Sequence, residues 1–262
     1  MNAIRILASF AAAAALACAL PVAAARGESA QEIIAASDRV RNPGVPFRLT
    51  NTLVEYRSGK ENSRIVLYVS AKSDPKTGQF RDVIRFVEPQ RDTGKLMLKV
   101  GNLLWFYDPA SKASVRLSPQ QRLLGQASNG DVVTVNLALD YGGRLVGEET
   151  IQDAERVQRP CWHLDMNASN DDATYARVEF WIEKGTYYPI KAKFYSDSGR
   201  LLKILYYGNY TTQLGRVRPT EAIVIDAVDS SLVTRIDFGD FQFQEIPETW
   251  FQRDYLPRLR ID

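Results

Sequence analysis

Apolar and polar side chains alternate with a period of two along most of the chain, as in strands that are buried on one face. Short turn sequences such as Ser58-Gly59 separate these stretches. About 11 or 12 strands are predicted, at 47–56, 64–71, 80–87, 95–100, 103–107, 144–151, 160–166, 176–183, 189–195, 201–207, 219–227 and 232–238. Many strands with short connections are typical of a single antiparallel sheet that curls towards a barrel, so the predicted class is mostly β (α+β).

A short amphipathic helix is predicted at 29–40, ahead of the first strand. Its apolar residues fall at helical spacing, and Ser29 with Glu32 forms a capping box. Asn42-Pro43-Gly44 then ends the helix.

The predicted strand at 103–107 is apolar on both faces. It is the return arm of a hairpin through Gly101-Asn102, which is a favoured two-residue connection. Leu104 and Phe106 point to one side of the strand, and the other three residues point to the opposite side. We expect one face to line a cavity and the other to be covered by chain before or after the hairpin. The alternative is that both faces are ordinary core.

The longest break in the strand pattern runs from Ser118 to Tyr141, and we name it the lid segment (residues 118–141). A break of this length in a protein with short loops is more often functional than structureless. Its apolar residues are Leu123, Leu124, Val132, Val133, Val135, Leu137 and Leu139. The segment is therefore expected to pack over the sheet.

The N-terminus has the order of features that defines a secretory signal peptide. Arg5 precedes an apolar run over 6–20, and small residues follow up to Ala25. Residues 1–25 are therefore predicted to be a signal peptide, and 26–262 a single exported domain.

The alternative for the N-terminus is a lipoprotein signal that uses Cys18. If the signal peptide is removed instead, Cys161 is the only cysteine left and no intramolecular disulfide can form. No later stretch approaches the roughly 20 apolar residues of a membrane-spanning helix, so a soluble protein is expected.

Charge excludes one class of partner. The chain has 33 Lys and Arg against 31 Asp and Glu, without a basic stripe. No nucleic-acid partner is therefore expected.

The sequence lacks the common catalytic motifs. Its one histidine, His163, alternates with Cys161 and Asp165 on one face of a predicted strand. A zinc site needs three or four ligands, and residues two apart on a strand do not converge as catalytic partners must. No G-x-S-x-G, phosphate-loop or dinucleotide motif occurs either. We expect a structural strand here, no enzyme, and no metal or cofactor.

Adjacent acids leave a glycosidase-type site open as an alternative. Glu148-Glu149 and Asp171-Asp172 both lie in turn-like sequence, where acids are usually solvated. Such a site would need two carboxyl groups that face each other across a cleft.

Four stretches, distributed between residues 83 and 259, occur in a specific order: VIRFVEPQRDTGKLMLKVGNLLWFYDPASKASVRLSP (83–119), LVGEETIQDAERVQRPCWHLDM (145–166), ARVEFWIEKGTYYPIKAKFYSDSGRLLKILYYGNY (176–210) and IPETWFQRDYLPRL (246–259). Their combination resembles the LolA-like family of periplasmic outer-membrane lipoprotein-sorting proteins. The most specific part is EFWIEKGTYYPIKAKFYSDSGRLLK.

The resemblance implies an open, unclosed β-barrel made from one strongly curved sheet, with helices covering an apolar concave face that accepts acyl chains. The lid segment and the N-terminal helix would cover that face. The side chains expected to form the cavity and its lid are Phe86, Leu96, Leu98, Leu104, Phe106, Leu123, Leu124, Val133, Leu137, Val178, Phe180, Ile182, Leu202 and Ile204.

The resemblance also implies a function and partners. The expected function is a monomeric carrier of acylated lipoprotein or lipid in outer-membrane lipoprotein sorting or lipid trafficking, working with an inner-membrane RND-type or ABC exporter. The alternative is a non-catalytic signalling or interaction module of the same fold with a filled cavity. Its working surface would be a strand edge or residues 248–259.

Overall fold

Strands make up most of the structure, a computed structural model that describes residues 27–101, 103–171 and 173–260. The strands are β1 (Phe47–Arg57), β2 (Lys60–Ser73), β3 (Phe80–Glu88), β4 (Leu96–Val100), β5 (Leu103–Asp108), β6 (Ala113–Leu117), β7 (Arg122–Leu124), β8 (Ala127–Ser128), β9 (Tyr141–Gln152), β10 (Gln158–Ala168), β11 (Arg177–Glu183), β12 (Pro189–Tyr195), β13 (Leu201–Gln213), β14 (Arg216–Asp226) and β15 (Leu232–Phe243). The predicted signal peptide at 1–25 lies outside the described residues.

The helical elements of the described residues are few and mostly short. They are α1 (Ala30–Arg41), α2 (Leu137–Asp140) and 3-10 turns at Gln90–Asp92, Asn129–Asp131, Glu248–Phe251 and Arg253–Arg258. Within 27–101, 103–171 and 173–260, no helix combines the length and the apolar character needed to cross a bilayer.

Among the described residues, thirteen strands form one antiparallel sheet that does not close into a full barrel. Their order is β6-β5-β4-β3-β2-β1-β15-β14-β13-β12-β11-β10-β9, so β6 and β9 are the two edges. The first and last strands of the chain pair at the centre, where Leu53 of β1 lies opposite Ile236 of β15. The predicted mostly β, open-barrel fold is confirmed.

The strand count differs slightly from the prediction because β6 was not anticipated. Its sequence, ASVRL, has no consistent apolar face, and Val115 is 49% exposed. Since β6 is an edge strand with little burial, its pairing with β5 leaves no clear alternation in the sequence. The small β7–β8 hairpin inside the lid segment was likewise not predicted.

Helix α1 begins as the capping box predicts. The backbone N–H of Glu32 donates to Ser29 Oγ at 3.3 Å, and the backbone N–H of Ser29 donates to a Glu32 carboxylate oxygen at 2.8 Å. Ile33 and Ile34 are fully buried, in the same cluster as the apolar residues of the sheet. Helix α1 thus covers the face of the sheet that carries the main core, which we call the inner face.

The opposite, outer face is covered near β3–β5 by the C-terminal segment (residues 246–259). Phe251 and Leu256 of this segment pack in one cluster with Val83 and Tyr107 of the strands. Leu104 and Phe106 belong instead to the inner cluster or pack against it. Both faces of β5 are therefore covered, and the chain that covers the outer one comes from the C-terminus.

The same arrangement corrects the predicted positions of Leu96 and Leu98. Both lie in the outer cluster under the C-terminal segment, whereas Met97 between them belongs to the inner cluster. Strand β4 is apolar on both faces, so its sequence does not indicate which face is inside.

Candidate ligand-binding cavity

A cavity of about 140 Å³ lies between the inner face of the sheet and the lid segment. Its lining side chains are Arg41, Asn42, Pro43, Phe47, Leu49, Asn51, Val69, Asp131, Val132, Val133, Thr134, Val135, Leu137, Asp140, Tyr141, Thr174, Tyr175, Phe194, Leu205, Tyr207, Pro219, Ala222, Ile236, Phe238 and Phe241, with Gly130. Strands from both halves of the sheet and the lid segment therefore contribute to one space.

Most of the cavity wall is apolar. Phe47 and Leu49 on β1 and Leu205 on β13 form part of the sheet side, and Val132 and Val133 form part of the lid side. Every second residue along a strand points to the inner face, so the period-two pattern of the sequence produces this apolar wall. Such a surface favours an apolar ligand.

A buried ion pair ties the lid segment to the sheet. Lys203 Nζ on β13 contacts the carboxylate of Asp131, and only 4% and 6% of the two side chains are exposed. Tyr175 Oη donates to the other oxygen of Asp131 at 2.9 Å. Burial lowers the pKa of Lys203, and the Asp131 carboxylate opposes that effect. The ammonium group of Lys203 and the carboxylate of Asp131 therefore stabilise each other's charged form in a site that excludes water.

Backbone groups of the lid segment add further anchors. The N–H of Gln126 donates to Thr234 Oγ1 at 2.8 Å, and the N–H of Thr134 donates to Asp82 Oδ1 at 2.9 Å. Both acceptors are fully buried on the inner face. The lid segment is thus held by polar contacts at separated points, and apolar side chains fill the space between them.

Helix α1 holds the other end of the lid segment. The N–H of Ala138 donates to Asp38 Oδ2 at 2.8 Å, and Arg41 Nη2 donates to the carbonyl of Val135 at 3.1 Å. Arg218, itself only 1% exposed, donates to the carbonyls of Val40 and Arg41 at the end of the helix. The helix, the lid segment and β14 therefore form one connected unit.

The predicted cavity residues fall into three groups. Val133 and Leu137 line the cavity. The residues that belong to the surrounding inner cluster or pack against it are Phe86, Leu104, Phe106, Leu123, Leu124, Val178, Phe180, Ile182 and Leu202. Contact of all these side chains with a ligand stays a prediction. Leu96, Leu98 and Ile204 were placed on the wrong face.

Ile204 was misplaced because the alternation of β13 was assigned in the wrong phase. Leu205 and Tyr207 line the cavity, so Ile204 between Lys203 and Leu205 points outwards. Lys203 looked like an outward residue in the sequence, yet it is buried against Asp131.

Sequence reasoning also missed the polar side chains of the cavity. Asn51 and Tyr175 are buried and line it, and so does Asp131, whose side chain is 6% exposed. The available signal was a polar residue in an inward position, as Asn51 is within Phe47, Leu49, Asn51 and Leu53 of β1.

The region around His163 is a strand, as predicted. Its ring stacks on Trp181 at 4.3 Å, and its Nδ1 lies 3.2 Å from a carboxylate oxygen of Glu149. Burial raises the pKa of the Cys161 thiol to about 12, so the thiolate needed for nucleophilic attack is scarce at neutral pH. Among the residues described, no cluster of three or more His, Cys, Asp or Glu could hold a metal ion.

Glu148 and Glu149 lie within β9, so the predicted strand at 144–151 is confirmed and the turn-like interpretation of this acidic pair is wrong. Glu148 accepts a hydrogen bond from Lys184 Nζ, and Glu149 accepts one from Trp181 Nε1, each at 2.6 Å. Asp172 of the other acidic pair lies outside the described residues.

The fold and the cavity place the chain in a recognisable class, the open antiparallel barrels with an apolar space under a lid. A family model described as "Uncharacterized protein" matches residues 78–258. The chain is 31% identical to a LolA superfamily protein from Nitrosomonas europaea, with a TM-score of 0.77 over 87% of this chain and 99% of that one. The chain belongs to the LolA superfamily.

Two more distant structures share the fold. A DUF1329 family protein from Desulfovibrio piger is 21% identical, with a TM-score of 0.72 over 86% of this chain and 97% of that one. A domain assigned to the outer membrane lipoprotein-sorting proteins, from Vibrio parahaemolyticus, is 19% identical, with a TM-score of 0.70 over 87% and 98%. No curated protein matches the chain significantly.

Proposed function

We propose that the protein is a periplasmic carrier that binds acyl chains of lipoproteins or lipids between the inner face of its sheet and the lid segment. The observation that supports this most directly is the apolar cavity of about 140 Å³ beneath the lid segment. Membership of the LolA superfamily supports the same class of ligand. The role is non-catalytic: binding shields the chain from water.

The size of the cavity indicates how the carrier works. An engineered apolar cavity of about 150 Å³ holds a benzene molecule, so the closed form accepts only a group of that size. An acyl chain of a lipid has far more carbon atoms than benzene. The lid segment must therefore move away for the whole acyl chain to enter. Each CH₂ group that leaves water contributes about 0.8 kcal/mol, which offsets the loss of the lid contacts.

Release of the bound acyl chain depends on the same competition between ligand burial and the lid contacts. The buried Lys203–Asp131 pair and the lid hydrogen bonds favour the closed form, so they compete with bound ligand and promote its release. An inner-membrane RND-type or ABC exporter, as the resemblance implies, would load or unload the carrier. We propose that the carrier acts as a monomer.

Native mass spectrometry with organic extraction tests this function on mature protein purified from its own periplasm. We expect acylated species on the wild type, and their loss in Val133→Asp, which places a charge in the apolar wall. Val228→Asp is the matched control, because Val228 is 90% exposed and is not among the residues that line the cavity. Ala222→Phe gives a second test, since it fills the cavity with a ring of about the size that the cavity accepts.

The interaction module is the second candidate, and the small volume of the cavity favours it. A wild type that carries no acylated species when folded and freshly purified would overturn the carrier and favour the interaction module. Thermal unfolding of each variant shows whether loss of ligand reflects loss of fold.

A further inference from the structure

Asn51 is a buried residue whose carboxamide oxygen the fold leaves without a partner among the described residues. It lies on β1, faces the cavity and is 2% exposed. Within the part of the chain that the structure describes, its Oδ1 has no hydrogen-bond partner. Leu67 on β2 and Phe238 on β15 lie opposite it in the sheet. Both of these cross-strand neighbours are apolar and offer its side chain no hydrogen bond.

Glu55, the next inward-facing polar residue of β1, has hydrogen-bond partners for its side chain. Glu55, four positions further along the same strand, accepts hydrogen bonds from Asn62 Nδ2 at 2.6 Å and from Arg57 Nε at 3.1 Å. The fold therefore supplies partners for one buried polar group of β1 and not for the other. A leucine at position 51 would match its surroundings and would avoid the cost of an unpaired buried amide.

We propose that Asn51 recognises the polar linkage of the bound acyl chain, and that this linkage is an amide rather than an ester. This inference rests on the proposed carrier function. A carboxamide side chain offers one acceptor oxygen and two N–H donors. An amide linkage has both an N–H and a carbonyl oxygen, so it satisfies both kinds of group. An ester has only acceptor oxygens and leaves Oδ1 of Asn51 unpaired.

Arg41 strengthens the polar side of the same cavity. It lines the cavity, and its Nε makes no hydrogen bond among the described residues while its Nη2 is occupied by Asp38 and Val135. A ligand carbonyl oxygen, which both linkages have, can pair with this donor, whereas the unpaired acceptor oxygen of Asn51 can pair only with a ligand N–H. The acceptor at Asn51 is therefore the group that distinguishes the two linkages.

Equilibrium binding of two matched probes tests the proposal. N-methyldecanamide and methyl decanoate differ only in the N–H or oxygen of the linkage. We expect wild-type protein to bind the amide about tenfold more tightly, the ratio that about 1.4 kcal/mol produces. In Asn51→Leu the two probes should bind equally, with the affinity for the ester retained. Asn51→Ala, which removes the amide group without adding a branched side chain, is the second variant.

Each result separates the two proposals. Equal binding of both probes to the wild type, or an amide preference that persists in both variants, overturns the role of Asn51 and leaves the carrier intact. Failure of the wild type to bind either probe overturns the carrier and the inference together. A stability readout needs no ligand: Asn51→Leu should raise the unfolding midpoint of the ligand-free protein.

Two larger probes distinguish the sources of an amide-linked chain. An N-decanoyl tripeptide represents the N-terminus of an acylated protein, and N-decanoylethanolamine represents an amide-linked lipid. Tighter binding of either one than of methyl decanoate supports the inference and identifies the source. If both bind no better than methyl decanoate, the linkage of natural ligands does not reach Asn51 and the inference is wrong.

Discussion

The Lys203 ammonium group on the inner face of the sheet lies against the Asp131 carboxylate of the lid segment, and both side chains are more than nine-tenths buried. The two residues are 72 positions apart in the chain. Their contact joins the lid segment to the inner face of the sheet. The docked lid segment therefore depends on a charge pair that water does not screen.

Asp131→Asn should destabilise the protein by about 3–5 kcal/mol, because it leaves the Lys203 charge buried without a counter-charge. Chemical denaturation measures this loss, and limited proteolysis within 118–141 should become faster. The exposed pair of Lys184 and Glu148 is the control, with 39% and 54% of its side chains exposed. Lys184→Met should cost less than about 1 kcal/mol.

The double variant Lys203→Met/Asp131→Leu separates charge from packing. Replacing a buried pair by apolar residues of similar volume is often neutral or stabilising, so most of the lost stability should return. If Asp131→Asn and the double variant unfold at the same denaturant concentration, the pair is not what holds the lid segment.

Local patterns in the sequence were enough to predict much of the fold. The capping box at Ser29 and Glu32 predicted the start of α1, and the alternation predicted twelve of the thirteen strands of the sheet. These features depend on residues that are close in the chain. The strand pattern predicted a sheet that curls towards a barrel, and the resemblance to a family added that this barrel is open.

The errors and omissions at the site have a different physical origin. Lys203 is inward because of a carboxylate far away in the sequence, and Leu98 is outward because the C-terminal segment covers it. Neither partner is visible in the local pattern. The cavity lining was therefore only partly predictable, and its polar residues were missed because polar residues are ordinarily expected outside.

Gly125→Ala should undock the lid segment. Gly125 has φ +53°, and a β-carbon there would overlap Thr234 Oγ1 and lie 2.9 Å from Glu55 Cγ. We expect a loss of about 2 kcal/mol from strain and overlap. Gly59→Ala is the control, because Gly59 has φ +76° with no atom within 4 Å of the added carbon. If both variants lose the same stability and resist protease equally at 118–141, overlap with the sheet is unimportant.

Phe251→Ala should cost about 3 kcal/mol, because it removes a ring from the outer cluster. Phe251 is 7% exposed, and the Arg81 guanidinium lies 4.4 Å from its ring centre. Phe243→Ala should change stability by less than about 0.5 kcal/mol, because Phe243 is 57% exposed. Thermal unfolding and binding of a hydrophobic dye should distinguish the two variants. Equal effects would mean that the C-terminal segment adds little to the core.

Asp82 should make stability fall as pH rises from about 4 to 6. Burial raises the pKa of its carboxyl from 3.8 to about 6, although Lys99 and the Thr134 N–H oppose that rise. The folded protein then holds a proton that the unfolded chain has released, so this contribution is present below pH 4 and is lost through pH 6. The loss should be about 3 kcal/mol relative to Asp82→Asn, which cannot titrate. Denaturation of both proteins from pH 4 to 7.5 measures the difference. A constant difference over this range would show that Asp82 keeps an ordinary pKa in the folded protein.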